Sequence, residues 1–337
     1  MKNRLLVCLI VVIGLLIGPS GPSLAAPEGQ GRPKLALALG GGGVRGASAI
    51  GVLRVFEREQ IPIDFIVGSS MGAFVGGLYC AGVPLDKIEQ VVMDGSARKA
   101  FMPRPYFARL LVRSVLLLQP RSWRAGYPGV YNGRKFARFI DNLVPEGRRN
   151  IENLKIPFAA IATNLLDGKA YRISQGDLGT AIQASCALPT LHQPVAMNGS
   201  LFVDGGIRAN MPTYPARATG ADIVIALDAD DHVKPIEPEQ LKSLRFYANR
   251  IASIVVSELD DRHRQAADLV LEPDVGGIQL LSKRREDLLK AISEGEKVAT
   301  AALPAIRKLL NGGATANGGT NGAASASAPI YINTRSR

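Results

Sequence analysis

The sequence predicts an α/β fold built on a mostly parallel sheet. Two short apolar runs, at 34–39 and 64–67, each break into a tight glycine-containing turn and continue into a helical pattern, at 47–60 and 73–81. A strand, a turn and a helix repeated in this order are typical of parallel strands joined by right-handed crossovers. The first run has no charged residue after Lys34, which is typical of a strand covered on both faces.

The remainder of the chain continues this alternation. Further strand patterns lie at 157–165, 169–173, 194–197, 201–203, 222–227 and 268–271, and further helical patterns at 84–100, 132–143, 177–187, 239–261 and 283–310. The runs on either side of Asn198-Gly199 predict a hairpin, because this dipeptide is a strong turn signal.

The two ends of the chain differ from its centre. Residues 1–25 combine a basic start, an unbroken apolar stretch at 5–17 and small residues before a cut after Ala25. This pattern predicts a signal peptide and an exported protein, periplasmic or secreted, with membrane association left open. Residues 311–337 are rich in Gly, Ala, Ser and Asn, which predicts a disordered tail. One domain is expected between them, over 26–310.

Side chains that bind metals are scarce. The chain has three cysteines and three histidines among 337 residues, and none of them has the spacing of a metal site. After cleavage only Cys80 and Cys186 remain, both in apolar or small-residue contexts typical of buried thiols. The sequence therefore predicts neither a metal nor a cofactor.

The positive charge is concentrated in one window. The net charge is +11, and residues 98–149 hold twelve Lys and Arg against two acids. Such a window attracts lipid headgroups or nucleic acid, although no nucleic-acid recognition motif accompanies it. Part of the window, at 104–118, has the pattern of a basic amphipathic helix. A packed helix with a solvated cationic face is the favoured interpretation, and peripheral membrane contact is the alternative.

The glycine loop after the first strand has two interpretations. Gly41, Gly43 and Gly46 match the G-x-G-x-x-G pattern of dinucleotide-binding proteins. That pattern also needs an acidic residue at the far end of the second strand, but Asp64 stands at its start. The alternative is that the loop amides hold the negative oxygen of a reaction intermediate.

The second strand ends in a candidate nucleophile. Gly68, Ser70 and Gly72 form G-x-S-x-G between a predicted strand and a predicted helix. A sharp turn of this kind lifts one hydroxyl clear of the sheet, and the small flanking residues let the backbone close up. Adjacent parallel strands deliver their carboxyl-terminal loops to the same edge, so the Gly41–Gly43 amides could face a substrate attacked by Ser70.

A serine nucleophile needs a base, and two candidates follow it in the chain. Asp204 comes directly after an apolar strand and before two glycines. His232 follows the 222–227 strand, where it could complete a Ser-Asp-His triad. His192 precedes Asp204 and is expected to be structural, and His263 lies in a charged helix.

The motifs "GGGVRG", "GSSMG" and "VDGG", in this order, resemble those of the patatin-like phospholipase family, in an exported bacterial form. The resemblance covers roughly 33–230. It implies a three-layer α/β/α sandwich and a Ser-Asp dyad without histidine. The residues carried over are Ser70 as nucleophile, Asp204 as base, Gly41, Gly42 and Gly43 as oxyanion donors, Arg45 as support of their loop, and Gly68, Gly72, Gly205 and Gly206 as motif glycines. Asn164, Thr190 and Leu191 depart from the family pattern, which bears on substrate preference.

The sequence therefore predicts a serine acyl hydrolase that cleaves phospholipid or other lipid esters through an acyl-enzyme. Three alternatives remain at this point. The first is a hydrolase with a His232 triad, the second a dinucleotide-binding protein, and the third a module that binds lipid or protein without catalysis.

Overall fold

The chain folds around a nine-stranded sheet with helices on both faces, over described residues 32–103, 127–230, 235–313 and 330–333 of a computed structural model. The strands are β1 (Leu35–Leu39), β2 (Phe65–Ser69), β3 (Phe158–Asn164), β4 (Ala170–Ile173), β5 (Val195–Met197), β6 (Ser200–Asp204), β7 (Ile223–Leu227), β8 (Leu269–Glu272) and β9 (Ile330–Asn333). The α-helices are α1 (Ser48–Arg58), α2 (Met71–Cys80), α3 (Leu85–Met93), α4 (Ser96–Phe101), α5 (Arg134–Leu143), α6 (Leu178–Ser185), α7 (Gly206–Ala209), α8 (Thr213–Arg217), α9 (Leu244–Arg264) and α10 (Arg285–Lys308).

The sheet is mostly parallel, as predicted. Its hydrogen-bonded order is β5-β6-β3-β2-β1-β7-β8-β9, and β4 also pairs with β3. Neighbouring strands are parallel along the part of the sheet ordered β3-β2-β1-β7-β8-β9. The strands β4, β5 and β6 add antiparallel pairs. The parallel part places the ends of β1 and β2, and therefore both glycine-containing turns, at one edge of the sheet.

Alternate residues of β1 point into two separate cores. Leu35, Leu37 and Leu39 pack into the larger core with residues of α1, α2, α6 and α10. Ala36 and Ala38 face a smaller core that contains residues of α7 and α8. Because successive side chains of a strand lie on opposite faces, the two cores establish helical layers on both sides of the sheet. The three-layer α/β/α arrangement is confirmed.

Two glycines allow α1 and α10 to cross at very close range. A methyl group on Gly295 would overlap the carbonyl oxygen of Ser48, and one on Gly51 would overlap that of Ile292. Backbone therefore packs against backbone where these helices cover the larger core. Any side chain larger than hydrogen at either position forces the helices apart.

The structure differs from the sequence prediction between 84 and 100, where one helix was expected. Two helices, α3 and α4, stand there instead, because Gly95 adopts a left-handed conformation with φ 74°. The Asp94 side chain accepts a hydrogen bond from the Ser96 amide at 2.7 Å and so begins the second helix. An Asx turn before a glycine ends one helix and starts another.

A second difference concerns the predicted tail. Ile330–Asn333 forms β9, which pairs in parallel with β8, so these four residues of the 311–337 region are part of the sheet. Their apolar, β-branched and aromatic composition favours a strand despite the polar residues around them. The short helices α7 and α8, directly after Asp204, were also not predicted.

Several predictions lie outside the described residues. They concern the signal peptide at 1–25, the amphipathic pattern at 104–118 within the basic window, and His232. None of the helices in the described part of the chain has the length and apolar character needed to cross a bilayer.

Cys80 and Cys186 are buried free thiols.

The close crossing of α1 and α10 predicts the sign of a stability change. In an open helix, Gly295→Ala would stabilise the protein by about 1 kcal/mol through helix propensity. Here we expect it to lower the free energy of unfolding by roughly 1–3 kcal/mol, because the added methyl has no space. Urea unfolding measures the difference.

The control is Ser293→Ala in the same helix, where the side chain is exposed. Its effect should stay within about 0.5 kcal/mol. A Gly295→Ala protein as stable as the parent, or more stable, would show that the helices do not meet through their backbones.

Candidate active site

Ser70 occupies a strained turn between β2 and α2. Its backbone has φ 51° and ψ −119°, a combination that non-glycine residues rarely adopt. A methyl group on Gly68 would lie 2.6 Å from the backbone nitrogen of Ala73, and one on Gly72 would overlap the carbonyl oxygen of Leu39. Both motif glycines are therefore required by close backbone contacts on either side of the serine.

The pairing of β3 brings the ends of two distant strands together. β2 runs parallel to β3 and ends with Ser69 beside Ile161, and β6 runs antiparallel and ends with Asp204 beside Ala162. β4 also pairs with Ile161 and Ala162 of β3, so it occupies the edge of β3 that neither β2 nor β6 can use there. β2 and β6 therefore share the other edge of β3. The two strands meet end to end there, which places the residue after Ser69 next to Asp204.

Ser70 and Asp204 form a direct hydrogen bond. The Ser70 hydroxyl donates to Oδ2 of Asp204 at 2.9 Å, and the Gly206 amide donates to Oδ1 at 2.8 Å. Asp204 is buried, and this burial raises its pKa to about 6 although both hydrogen bonds favour the charged form. The carboxylate is therefore a stronger base than an exposed aspartate and is still largely ionised at neutral pH.

The end of α6 supports both sides of this pair. The Ser185 hydroxyl accepts a hydrogen bond from the Ser70 amide at 2.9 Å, and the Ser185 carbonyl accepts one from the Gly205 amide at 3.2 Å. The Ala187 carbonyl accepts the Asp204 amide at 3.0 Å. Ser185 therefore binds both the turn that contains Ser70 and the turn that follows Asp204, and holds the two turns next to each other. No pattern in the sequence indicates this role of Ser185.

The glycine loop lies against Ser70. A methyl group on Gly41 would approach the Ser70 Cβ to 3.2 Å. The Gly41 amide donates to the Asn210 carbonyl at 3.1 Å, so the expectation that Gly41 is an oxyanion donor is wrong for its N–H group. Within the described residues, the Gly42 and Gly43 amides have no backbone acceptor, and both residues line the same cavity as Ser70. These two amides are the candidates for holding an oxyanion.

Arg45 connects the glycine loop to the end of β7. Its Nε donates to the Gly42 carbonyl at 3.4 Å, and its guanidinium pairs with Asp230 at 2.8 Å. Both side chains are buried, so the ion pair is shielded from solvent and fixes the loop against the end of β7. The predicted supporting role of Arg45 agrees with this position.

A second anchor reaches the loop from α9. The Asn210 carbonyl binds Gly41, while its side-chain amide donates to Asp260 at 2.8 Å. Asp260 also accepts the Met211 amide at 3.0 Å. Burial, followed by the charge of Asp228, raises the pKa of the Asp260 carboxyl. No sequence pattern connects α9 with the glycine loop, so this anchor could not be predicted.

The two described histidines lie away from the pair. His192 is buried beside Phe101 and Tyr131, and its Nε2 lies 3.1 Å from the Phe101 carbonyl oxygen. His263 packs against Tyr214. Burial lowers the pKa of both histidines. The position of His192 agrees with the structural role expected of it. Among the described side chains, the Asp204 carboxylate accepts a hydrogen bond only from Ser70.

A cavity of about 960 Å³ opens above Ser70 and Asp204. Apolar side chains form much of its wall, and they include Met71, Phe74, Val92, Met93, Phe101 and Phe136. A volume of this size accommodates a drug-sized or larger apolar ligand. The Ser70–Asp204 pair therefore lies at the wall of a cavity suited to long hydrocarbon groups.

The site offers little to a dinucleotide or a metal. The Asp64 carboxylate accepts the Leu35 amide at 2.7 Å, at the amino end of β1, opposite the glycine loop. It is therefore not placed to hold a ribose beside that loop. Among the residues that the structure describes, no group of three or more His, Cys, Asp or Glu side chains is arranged to hold a metal ion.

The support from α6 can be tested through stability. Ser185→Ala leaves the Ser70 amide without its acceptor in a strained, part-buried turn. We expect the free energy of unfolding to fall by about 1–3 kcal/mol, the cost of an unsatisfied buried donor. Chemical denaturation gives this value.

Ser48→Ala is the matched control, because the Ser48 hydroxyl is equally buried but has no hydrogen-bond partner. Its removal should leave stability unchanged or slightly higher. Equal losses in the two variants would mean that the Ser185 hydroxyl does not support the turn.

Comparison with known proteins places the chain in a family. A sequence model described as patatin-like phospholipase matches residues 37–217, more than half of the 337 residues. An uncharacterized NTE family protein of Mycobacterium tuberculosis is 35% identical over 206 residues, which are 61% of this chain and 52% of the relative. Lysophospholipase NTE1 of Saccharomyces cerevisiae is 34% identical over 219 residues, or 64% of this chain and 12% of the relative.

The chain thus spans about half the length of the mycobacterial relative and a small part of the yeast protein. Among solved structures, VipD from Legionella pneumophila superimposes with a TM-score of 0.45 and 15% identity, over 81% of this chain and 67% of that chain. This likeness is distant, and the assignment rests on the sequence match together with the three ordered motifs within it. The chain belongs to the patatin-like phospholipase family.

Proposed function

We propose that the protein is a serine acyl hydrolase that cleaves lipid esters with a Ser70–Asp204 dyad. The observation that carries the proposal is the 2.9 Å hydrogen bond from the Ser70 hydroxyl to a buried carboxylate, at the wall of a largely apolar cavity. A nucleophile and its base must lie within hydrogen-bonding reach, and these two do so without rearrangement.

In the first half-reaction, Ser70 Oγ attacks the carbonyl carbon of the ester while its proton passes to Asp204 Oδ2. The electrons of the carbonyl π bond move to oxygen, and the Gly42 and Gly43 amides are positioned to hold the resulting anion. One such donor stabilises a transition state by about 3 kcal/mol. Collapse of the intermediate breaks the bond to the alcohol oxygen, which takes the proton from Asp204.

In the second half-reaction, a water molecule attacks the acyl-enzyme. Asp204 accepts one proton of this water, and a second tetrahedral anion forms in the same loop. Its collapse releases the fatty acid and returns the proton to Ser70 Oγ. The dyad ends in its starting state, and the net reaction converts the ester and one water molecule into an alcohol and a fatty acid.

The environment of Asp204 makes a histidine unnecessary for this chemistry. An aspartate with an ordinary pKa near 3.9 is a weak base, whereas burial raises the pKa of Asp204 to about 6. General-base catalysis is most effective when the pKa of the base lies near the working pH. The Gly206 amide orients the other carboxylate oxygen and keeps Oδ2 directed at Ser70.

The apolar cavity and the family support lipid esters as the substrate class. Long acyl chains match the apolar wall above Ser70. The yeast relative is named a lysophospholipase, which favours phospholipids or lysophospholipids among these esters. Export through the 1–25 signal and membrane contact through the basic window 98–149 stay predictions, and we include them in the proposal.

Two substitutions test the dyad. Ser70→Ala removes the nucleophile and Asp204→Asn removes the base, so each should lower kcat/KM for a soluble ester by roughly 10³-fold or more. Hydrolysis of a chromogenic medium-chain ester by the purified protein measures this loss. His232→Ala should retain near-normal turnover and serves as the control against a triad. Full activity in either dyad variant, or loss in His232→Ala, would contradict the mechanism.

The raised pKa of Asp204 predicts a pH profile. The base acts only when ionised, so kcat/KM should rise with pH through an apparent pKa near 6 and then level off. Stopped assays with the same ester between pH 4 and pH 9 (roughly the range that brackets this value) give the profile. His232→Ala should show the same inflection. A profile that is flat through pH 6, or an inflection that disappears in His232→Ala, would exclude Asp204 as the titrating base.

A further inference from the structure

The helix α9 exposes a line of large apolar side chains. Tyr247, Ile251 and Ile254 are 50%, 46% and 48% exposed. They are spaced at i, i+4 and i+7, so they lie on one face of the helix. Single exposed apolar residues are common in proteins, but three in line form a continuous patch. We refer to these three residues as the α9 apolar face.

The α9 apolar face adjoins the cavity that holds the dyad. Phe246, Arg250 and Ser253 of the same helix line that cavity, and each directly precedes one of the three apolar residues. One residue corresponds to a rotation of about 100° around a helix. The helix is therefore part of the cavity wall on one side and presents the apolar face on the adjacent side.

The lining of the cavity is also rich in positive charge. Arg98, Lys283 and Arg285 line it and have no ion-pair partner among the described residues, and Arg250 is a fourth cation in the lining. Three acidic residues also belong to the lining. Asp204 and Asp230 are buried and engaged with Ser70 and with the loop, whereas Asp94 is exposed. The exposed charge of the lining is therefore net positive, with Arg98, Lys283 and Arg285 against Asp94, and it favours an anionic surface.

We propose that the α9 apolar face and the cationic lining form a docking surface for an anionic lipid bilayer. The inference rests on the proposed lipid hydrolysis and extends it to the way in which the substrate is reached. Apolar side chains at the edge of a helix enter the boundary between headgroups and acyl chains, and nearby Lys and Arg attract anionic headgroups.

A bilayer fits this surface better than a second copy of the chain does. Two copies that met through the α9 apolar face would bring equal cationic linings together, and the like charges would repel. An anionic bilayer offers the opposite charge along with an apolar interior. Docking in this way places the cavity mouth at the lipid surface, next to the ester groups that Ser70 would attack.

Vesicle binding tests the inference without hydrolysis. The full chain, in a Ser70→Ala background that cannot turn over lipid, is mixed with vesicles of phosphatidylcholine alone or with added phosphatidylglycerol, and co-sedimentation is measured. The parent should prefer the anionic vesicles. Ile251→Ser with Ile254→Ser should weaken binding to them by roughly tenfold or more, because two apolar anchors are lost.

The matched control replaces two exposed leucines that lie outside α9, directly after β3. This variant is Leu165→Ser with Leu166→Ser, at positions where the side chains are 52% and 62% exposed. This control should bind as the parent does. A further pair, Lys283→Gln with Arg285→Gln, should reduce the preference for anionic vesicles and its sensitivity to salt while binding to neutral vesicles is retained. Thermal unfolding confirms that each variant is folded.

The proposal is overturned if the parent does not bind anionic vesicles, or if the α9 double variant binds them as well as the leucine control. It is also overturned if sedimentation velocity shows a dimer for the parent and a monomer for the α9 double variant, because the face would then join two copies of the chain. The result is separate from the dyad test. A failure of docking leaves Ser70-dependent ester hydrolysis in solution intact, and a failure of the dyad leaves vesicle binding intact.

Discussion

The central constraint of the structure is that β2 and β6 share one edge of β3. Ser69 pairs with Ile161 and Asp204 with the next residue, Ala162, from strands that run in opposite directions. The residues that follow and end these strands therefore meet, although Ser70 and Asp204 are 134 positions apart. Backbone pairing therefore sets how close the two residues lie, and their two short side chains span the remaining distance.

The polar groups around this junction are arranged to keep it rigid. Ser185 ties both turns from α6, Arg45 ties the glycine loop to Asp230, and Asn210 connects the loop to Asp260 on α9. Each of these contacts is buried or part-buried, where an unsatisfied donor or charge is costly. The loop amides that would hold an oxyanion are thus positioned before a substrate binds, which is the property that electrostatic stabilisation of a transition state requires.

Local patterns were sufficient to predict eight of the nine strands and the motifs, but not β9 or the contacts that support the motifs. The first two strands and their turns follow from apolar runs that end in glycine, and G-x-S-x-G marks Ser70 directly. The division of 84–100 into two helices depends on the left-handed conformation of Gly95, which a helical pattern does not reveal. The roles of Ser185, Asn210 and Asp260 arise from contacts across 50 or more positions, and no periodicity encodes them. For the same reason the competition of Asn210 for the Gly41 amide could be found only in three dimensions.

The claim on which the account depends is that Asp204 activates Ser70 for attack on an acyl carbon. The most direct measurement is the rate of covalent labelling by a fluorophosphonate, with the modified peptide identified by mass spectrometry. The account predicts one adduct per chain on Ser70 in the parent protein, and labelling at least roughly a hundredfold slower in Asp204→Asn, since a general base contributes at least that factor. An adduct on a different residue, or equal labelling rates in the two proteins, would contradict it.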